Sequence, residues 1–495
     1  MPRILVLADL GQVQYHVGDE AMGITVSAEL TRRGFDVVIA TRDVEHSRQY
    51  IGSASDYMAT LQVPWPPAER ELYIAELRAH LAGAPARSEI TDFVHNVSAV
   101  DGIVIAGGGN MNSTYGWLLY ERVAYALIAQ AYQIPLVISG QSLGPVLTEA
   151  DAKVLHEMLD IAQLVGLRES SSYSWALSRG LKANLIADDA TFYQHKHRSL
   201  PGRPIVDLPE NYICATFNGL NSGQSRIIGQ ILDDMHRQYG LGTVFLPHMG
   251  QPQQEQQGDV AVHREIASHM FSNPIELPVV HADDAVQVHR GAYIGFSTRY
   301  HPGVFSLSAG IPFVALLPDA FTDMRVRGMM SQYGAENYAI PLALLNSAAP
   351  LEALHEVVQL RPELSASLQA RTNRLSAFSA QWWDAVSTVL THKSSHLAPT
   401  IQNLDSTPTL FTGEWNLTNL LVRDDIAEIS LAASLARAES DRALSWDYQR
   451  LLQRDRAQAR ADELERRNAE LADSLIEAEE NATLRGWVRR KMRGE

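Results

Sequence analysis

Short apolar runs alternate along this chain with longer segments whose apolar positions recur every three or four residues. The first run, RILVLADL, is followed by a glycine-containing loop and the helical-period DEAMGITVSAELTRRG. DVVIAT reads as the next strand and DGIVIAGGGN as another, followed by the helical WLLYERVAYALIAQAYQ and the strand IPLVISGQSLGP; QLVGLRES and NLIADDA complete the region. Continuous apolar strands are buried on both faces, and their alternation with amphipathic helices predicts a parallel sheet covered on both sides.

The pattern breaks at the proline-rich HRSLPGRPIVDLPE, a predicted linker, and then restarts. YICATFN, a helix near QSRIIGQILDDMHRQYG, GTVFLPH, REIASHMF, AYIGFSTRYH and GIPFVALLP make a second α/β unit, closed by the helical LEALHEVVQLRPELSASLQARTNRLSAFSAQWWDAVSTVL. The expected architecture is α/β, with Rossmann-like domains over 1–198 and 199–392 facing a central cleft. Ligands are expected at the carboxyl ends of the strands.

Residues 393–419, beginning KSSHLAPTIQNLDSTPT, read as a linker, and 420–495 as a charged helical tail. With Leu464 and Leu471 at heptad position d, Ala461, Asn468 and Leu475 fall at a. An Asn at a fixes register and a two-stranded state, which makes a coiled-coil homodimer one expectation for the tail. The seam is thin and flanked by alanines, so a solvated single helix is the other. The closing LRGWVRRKMRGE sets a Trp among basic residues, suited either to contact with an anionic membrane surface or to plain solvation.

A length of 495 residues implies two or three domains. The formal charge of −16 argues against general nucleic-acid binding, but leaves room for a local site that holds a small anion. Cys214 is the single cysteine, which excludes an intrachain disulfide and a thiolate metal cluster; its apolar surroundings predict a buried structural thiol. The chain opens directly on a strand pattern, and no apolar run approaches the ~20 residues that span a bilayer. The expected location is cytoplasmic, with the inner face of the cell membrane as a candidate place of peripheral contact.

Every informative motif falls at a predicted strand end. HVGDEAM places Gly18 and Asp19 at the first strand–helix turn, where Asp19 either caps the helix or faces the cleft. In GGGN, Gly108, Gly109 and Asn110 permit close backbone approach to a ligand or a simple tight turn; Walker spacing and a Lys are absent. Gln141 and Ser142 of SGQSLGP are candidate partners for a hydroxylated ligand. Arg168 of GLRES pairs either with a neighbouring carboxylate or with an anion. Asp188 and Asp189 of ADDATF point to opposite faces, so at most one is expected in the cleft. His248, after TVFLP, is a candidate donor or base, with a structural role as the alternative.

The most specific stretch is GFSTRYHPGVFSLSAGIP, residues 295–312. Arg299 and His301 stand at a strand end, with Pro302 expected at the first helical position. A planar fork and a titratable ring beside free helix N–H groups suit an anion. The alternative is that Arg299 pairs with a nearby Asp.

The ordered set GDEAM, GGGN, GQSLGP, LRES, ADDATF and STRYHPGVFSLSAGIP, extending to MRVRG, resembles the polysaccharide pyruvyl transferase family over about residues 1–340. The resemblance implies a GT-B-like fold and transfer of pyruvate from phosphoenolpyruvate to sugar hydroxyls as a ketal. By resemblance, Arg299 and His301 hold the donor from the second domain and Arg168 from the first. Many members carry Lys where this chain has Arg325, which keeps the charge and changes its geometry.

Ketal formation requires an acid at the methylene carbon, a base for the hydroxyls and fixed positive charge on the leaving phosphate. His301 is the first candidate for the acid or for a hydrogen bond to the phosphate; Asp19 and Asp189 are candidates for base or acceptor binding. The expected cofactor list is empty, with phosphoenolpyruvate as donor substrate and no metal. The expected partners are that donor and a sugar or polysaccharide acceptor, free or lipid-linked. A sugar-nucleotide glycosyltransferase shares the two-domain cleft, although no clear Glu-bearing motif follows Arg299 and His301. A non-catalytic scaffold with a degenerate core is the remaining alternative; it has no need of Arg168, Arg299 and His301 together.

Overall fold

The computed structural model describes residues 1–12, 14–51, 54–193, 207–250, 257–392 and 414–493. In chain order the strands of the first domain are β1 (Arg3–Leu10), β2 (Tyr15–His16), β3 (Asp36–Thr41), β4 (Asp56–Ala59), β5 (Gly102–Ile105), β6 (Gly108–Met111), β7 (Leu136–Leu143), β8 (Leu164–Leu167) and β9 (Asn184–Leu185). Those of the second are β10 (Tyr212–Thr216), β11 (Gly242–Phe245), β12 (Met249–Gly250), β13 (Ile275–Glu276), β14 (Ile294–Ser297), β15 (Phe313–Leu317) and β16 (Ala339–Pro341). One parallel sheet runs β4-β3-β1-β5-β7-β8-β9, with β6 also pairing β7; the other runs β13-β11-β10-β14-β15-β16 and is also parallel. Strands β5, β7, β10, β14 and β15 are buried along their whole length, as continuous apolar runs in a helix-covered sheet must be. Cys214 on β10 is fully buried, and burial raises its thiol pKa.

The domains are closed against one another. Strand β2 pairs antiparallel with β12, and the Val17 N–H donates to the His248 carbonyl at 3.1 Å. Glu20 reaches across with both oxygens: Oε1 lies 2.9 Å from His281 Nδ1, and Oε2 accepts from the Ala282 N–H at 3.1 Å, at the start of the Ala282–Gly291 helix. From the other side, Gln332 Nε2 donates to the carbonyls of Arg168 and Ile186 at 2.7 and 3.1 Å.

Two helices cross between the domains, which corrects the predicted boundaries. The closing helical stretch is broken at Leu360 into Ala349–Gln359 and Arg361–His392, because Pro362 has no N–H to donate to the carbonyl four residues back and its ring clashes with that carbonyl. The second helix starts in the second domain, where Leu364, Leu368 and Leu375 join its core. Its later turns enter the first domain: Trp382, Val386 and Val389 pack with Ile4, Val6 and Val137, and Trp382 Nε1 donates to Ser139 Oγ at 3.1 Å. The predicted limit of the second domain at 392 therefore includes a segment of the first domain's core.

The last helix, Glu414–Met492, begins inside the segment predicted as linker, and its first half is not a free tail. Trp415 is buried against Tyr338 and donates to Glu356 Oε2 at 2.8 Å; Asn419 Nδ2 donates to the carbonyls of Asn337 and Ala339 at 3.1 and 3.2 Å. Farther on, Arg442 grips Glu71 of the first domain at 2.8 and 3.1 Å, and Gln449 Nε2 donates to Glu69 at 3.1 Å. The helix is a strap over both domains. On its outer part Leu464, Leu471 and the basic Arg489, Lys491 and Arg493 are exposed; the side chains of Asn468 and Leu475, and both predicted linkers up to residues 206 and 413, lie outside the description. No described helix is long and apolar enough to cross a membrane.

Trp415→Ala removes a buried indole and strands Glu356, so it should cost about 3 kcal/mol in urea unfolding. Leu464→Ala, at an exposed position, should stay within about 0.5 kcal/mol; a larger loss there would reveal a second helix covering that face.

Candidate active site in the interdomain cleft

A cavity of about 450 Å³ lies between the carboxyl ends of the two sheets. The first domain contributes Asp9 from the end of β1, Gly18 and Asp19 from the start of the Val17–Arg32 helix, Gly109 and Asn110 from β6, and Arg168 from the turn after β8. The second contributes His248 after β11, Arg299 to Pro302 after β14, and Arg325 from the Ala320–Ser331 helix.

Its strongest electrostatic feature is a pair of arginines. Arg168 is 1% exposed. Its Nε donates to Ser142 Oγ at 2.8 Å and Glu169 Oε1 at 3.0 Å, and Nη1 bonds Asp188 Oδ2 at 2.5 Å. Nη2 has no partner among the described residues. Arg325 is bonded through Nε to the Phe321 carbonyl at 3.2 Å. Both guanidinium groups lie over the Tyr300 ring, at 4.3 Å for Arg168 and 5.6 Å for Arg325. A Cβ on Gly109 would fall 2.6 Å from Arg325 Nη1 and 3.1 Å from Arg168 Nη2, so both tips converge on the same backbone. Burial and the neighbouring Arg168 charge lower the Arg325 pKa. A buried cation beside a half-buried one forms a site for an anion with several oxygens.

Beside this pair stand His301 and Asp19. The helix begins at Tyr300 with Arg299 as its cap residue, so Pro302 occupies the third helical position instead of the expected first. First-turn N–H groups lack intrahelical acceptors in any case, so proline is tolerated there. The His301 ring packs on Gly18, where a Cβ would fall 1.8 Å from Nδ1. Burial lowers the His301 pKa to about 3, and Nε2 has no partner among the described residues. A ring so shifted is neutral at neutral pH, which suits the second of its two expected roles, a hydrogen bond to the phosphate, better than the first.

Asp19 behaves in the opposite sense. It does not cap its helix; His16 holds the cap position and no side chain caps it. Burial and the Asp9 carboxylate raise the Asp19 pKa to about 8, which keeps its proton at neutral pH. Asp9 is fixed by Arg42 Nε and Asn110 Nδ2, each at 3.3 Å.

Other expected residues take supporting places. Arg299 Nε and Nη2 bind the buried Asp259 at 3.0 and 2.5 Å, the carboxylate pairing that was its alternative, while the side chain still borders the cavity. Asp259 also accepts the N–H groups of His248 and Met249, so Arg299 anchors the loop after β11. His248 Nε2 lies 2.8 Å from His289 Nε2; burial, then His289, lower its pKa, and Nδ1 is unpartnered among the described residues.

Asp189, expected among the catalytic groups, lies beneath the cleft floor. It accepts from the Gly107 N–H at 2.8 Å and Ser139 Oγ at 2.7 Å, and burial raises its pKa to about 7. Gln141 and Ser142 are fully buried because β7 extends through them; Gln141 donates to the Ala106 carbonyl, and Ser142 to Glu169 at 2.6 Å. Gly108 packs against Gln141. These residues shape the floor without bordering the cavity.

The sequence reading missed Asp9, Tyr300 and an aromatic lip that includes Trp65 and Trp117. Asp9 had a usable signal, a carboxylate at the end of the first buried strand.

A family model described as polysaccharide pyruvyl transferase matches residues 16–319. No curated protein matches the chain. Among solved structures, S. aureus MnaA in a co-structure with UDP is similar at 12% identity and a TM-score of 0.52, covering 81% of this chain and 100% of that one. A UDP-N-acetylglucosamine 2-epimerase is similar at 10% identity and a TM-score of 0.52, covering 81% and 99%. These likenesses show the fold, two facing Rossmann-like domains of the GT-B-like type with a helical C-terminal region.

Gly18→Ala should displace the His301 ring and weaken binding of inorganic phosphate by about tenfold, the worth of one hydrogen bond to a charged group. Helical circular dichroism should be preserved, since alanine is the better helix former. Calorimetric titration of phosphate into both proteins checks this.

Proposed function

Because the chain belongs to the polysaccharide pyruvyl transferase family, we propose that its cleft moves the pyruvate skeleton of phosphoenolpyruvate onto two hydroxyls of one sugar, forming a ketal. The observation that carries this reading is the convergence of Arg168 and Arg325 on Gly109, beside a carboxyl group that retains its proton. Phosphoenolpyruvate presents a phosphate and a carboxylate on a three-carbon frame. The two guanidinium tips take one of these groups, and Arg299 with neutral His301 borders the other.

Asp19 is the proposed acid. It delivers its proton to the methylene carbon, which becomes a methyl group and leaves the central carbon an oxocarbenium-like electrophile. One sugar hydroxyl forms a C–O bond there, and its proton restores Asp19. The bond to phosphate then breaks, with the arginines taking the developing charge. The second hydroxyl closes the ring, and its proton leaves with the phosphate. The overall exchange is one donor and one diol for one ketal and one phosphate.

The acceptor class is a polysaccharide or its lipid-linked precursor, with the enzyme working in the cytoplasm or at the inner membrane face. Donor recognition needs no cofactor in this scheme.

Calorimetric titration of phosphoenolpyruvate into the full chain should show saturable binding, reduced at least about tenfold by Arg325→Ala. UDP-N-acetylglucosamine binding without a response to phosphoenolpyruvate would overturn the reading in favour of sugar-nucleotide chemistry. Once an acceptor supports turnover, Asp19→Asn should reduce it at least about a hundredfold. The acid must be protonated, so kcat/KM should be level just below the Asp19 pKa of about 8 and fall as pH rises through it. An unchanged alkaline limb in Asp19→Asn would return the role of acid to His301.

A further inference from the structure

On one side of the cavity mouth four aromatic side chains form a continuous path from solvent to the arginine pair. Trp65 and Trp117 are stacked, with ring centroids 3.7 Å apart and planes at 12°. Tyr115 meets Trp117 edge-on at 5.7 Å and Phe321 at 5.7 Å, and Arg325 lies 3.6 Å over the Phe321 ring. The path begins in the first domain and ends in the second.

Trp65 is 67% exposed, yet it is firmly held. Its carbonyl accepts from Arg70 Nη1 at 3.1 Å, and Arg70 is buried and paired with Asp151 at 3.4 Å. Gly116 makes this possible, since a Cβ there would fall 2.2 Å from the Arg70 guanidinium carbon. Pro66 and Pro67 follow directly and restrict the backbone. The same arginine thus fixes the loop of Trp65 and the turn that carries Trp117. The strap helix ties down both lips: Ser445 Oγ accepts from the Ala68 N–H at 3.1 Å, and Ser430 Oγ from the Ala320 N–H at 3.0 Å.

We infer that this lip is the acceptor subsite and that the Trp65–Trp117 stack takes the face of a pyranose ring; the inference rests on the pyruvyl-transfer reading. An indole face is electron-rich and attracts the weakly positive C–H groups along one face of a pyranose. The ring's hydroxyls project from its edge, toward the polar groups of the mouth such as Asp9 and Asp319. Ketal formation needs two hydroxyls of one ring presented to one carbon, and a flat, rigid platform fixes the ring plane without consuming either. The platform's open outer edge lets the rest of a polymeric or lipid-linked acceptor leave the cleft.

The test uses methyl β-D-galactopyranoside, methyl β-D-glucopyranoside, methyl α-D-mannopyranoside, lactose and cellobiose as probes of the full chain, with and without phosphoenolpyruvate, by saturation-transfer NMR and calorimetry. At least one saccharide should bind, Trp65→Ala should weaken it about tenfold, and Trp65→Phe should restore most of the loss. Trp65 is exposed, so Trp65→Ala should unfold at the temperature of the unsubstituted protein. Saccharide binding indifferent to Trp65→Ala, no saccharide binding at all, or Trp65-dependent binding of UMP in place of the sugars would each overturn the inference. Phosphoenolpyruvate affinity is read in the same samples and should not change in either variant. Its absence from the unsubstituted chain would count against the transfer reading, while the sugar result alone decides the platform.

Discussion

Two guanidinium groups are held side by side with a tyrosine ring beneath them and a bare glycine in front. Like charges so close repel, and burial removes the water that would screen them. Their positions persist because each is secured from behind. Arg168 is seated by Asp188, Glu169 and Ser142, three residues from different strand ends, and Arg325 is secured by the Phe321 carbonyl and ring. The carboxylates satisfy Arg168 on one edge and leave Nη2 beside Gly109 without a partner among the described residues. An anion with oxygens spaced for two forks relieves the repulsion and completes the hydrogen bonds in one step.

That constraint requires the domains to be closed, because Arg168 belongs to one sheet and Arg325 and Tyr300 to the other. The closure is over-determined. The β2–β12 ladder, the Glu20 clamp on the Ala282–Gly291 helix and Gln332 all cross the cleft, and the Arg361–His392 helix buries tryptophans in the opposite domain. Gly18 shows how tight the fit is: His301 of the second domain occupies the space that any larger residue would need. The strap helix adds a second crossing outside the cleft, so the mouth as well as the floor is held at a fixed width.

Much of this was legible in the sequence because buried parallel strands are short apolar runs and their carboxyl ends face the ligand. RILVLADL and DVVIAT are β1 and β3 to the residue, and Arg168, Asp19, Gly109 and His301 were found at strand ends. What failed depended on register and on distant partners. Asp188 and Asp189 could not be told apart, because β9 is two residues long and a single-residue step exchanges their faces. Gln141 and Ser142 read as ligand partners at a strand end, but β7 runs on through Leu143 and turns both side chains into the floor. Helical periodicity revealed an apolar face on the Arg361–His392 segment without saying that two domains share it. The charged strap reads in sequence as a helical tail, coiled-coil or solvated, because its anchors, Trp415, Asn419 and Arg442, are single residues that recognise surfaces distant in sequence.

In the proposed transfer, the division of charge within the cleft favours an aspartic acid over the histidine of the most distinctive motif as the proton carrier. Enclosure disfavours the charged form of any group, so the same cleft wall lowers an imidazole's hold on its proton and raises a carboxyl's. His301 is lowered to about 3 and Asp19 raised to about 8 by that common cause, and the Asp9 carboxylate adds to the effect on Asp19. A bound anion beside them favours protonation of both groups, which strengthens the carboxyl's hold on its proton until the substrate's methylene carbon becomes the acceptor. Asp19 can therefore wait in its neutral form without repelling a doubly charged donor. A carboxylate would oppose the arginines, whereas a carboxylic acid leaves their field intact and, in the proposed transfer, supplies the one proton with which it begins.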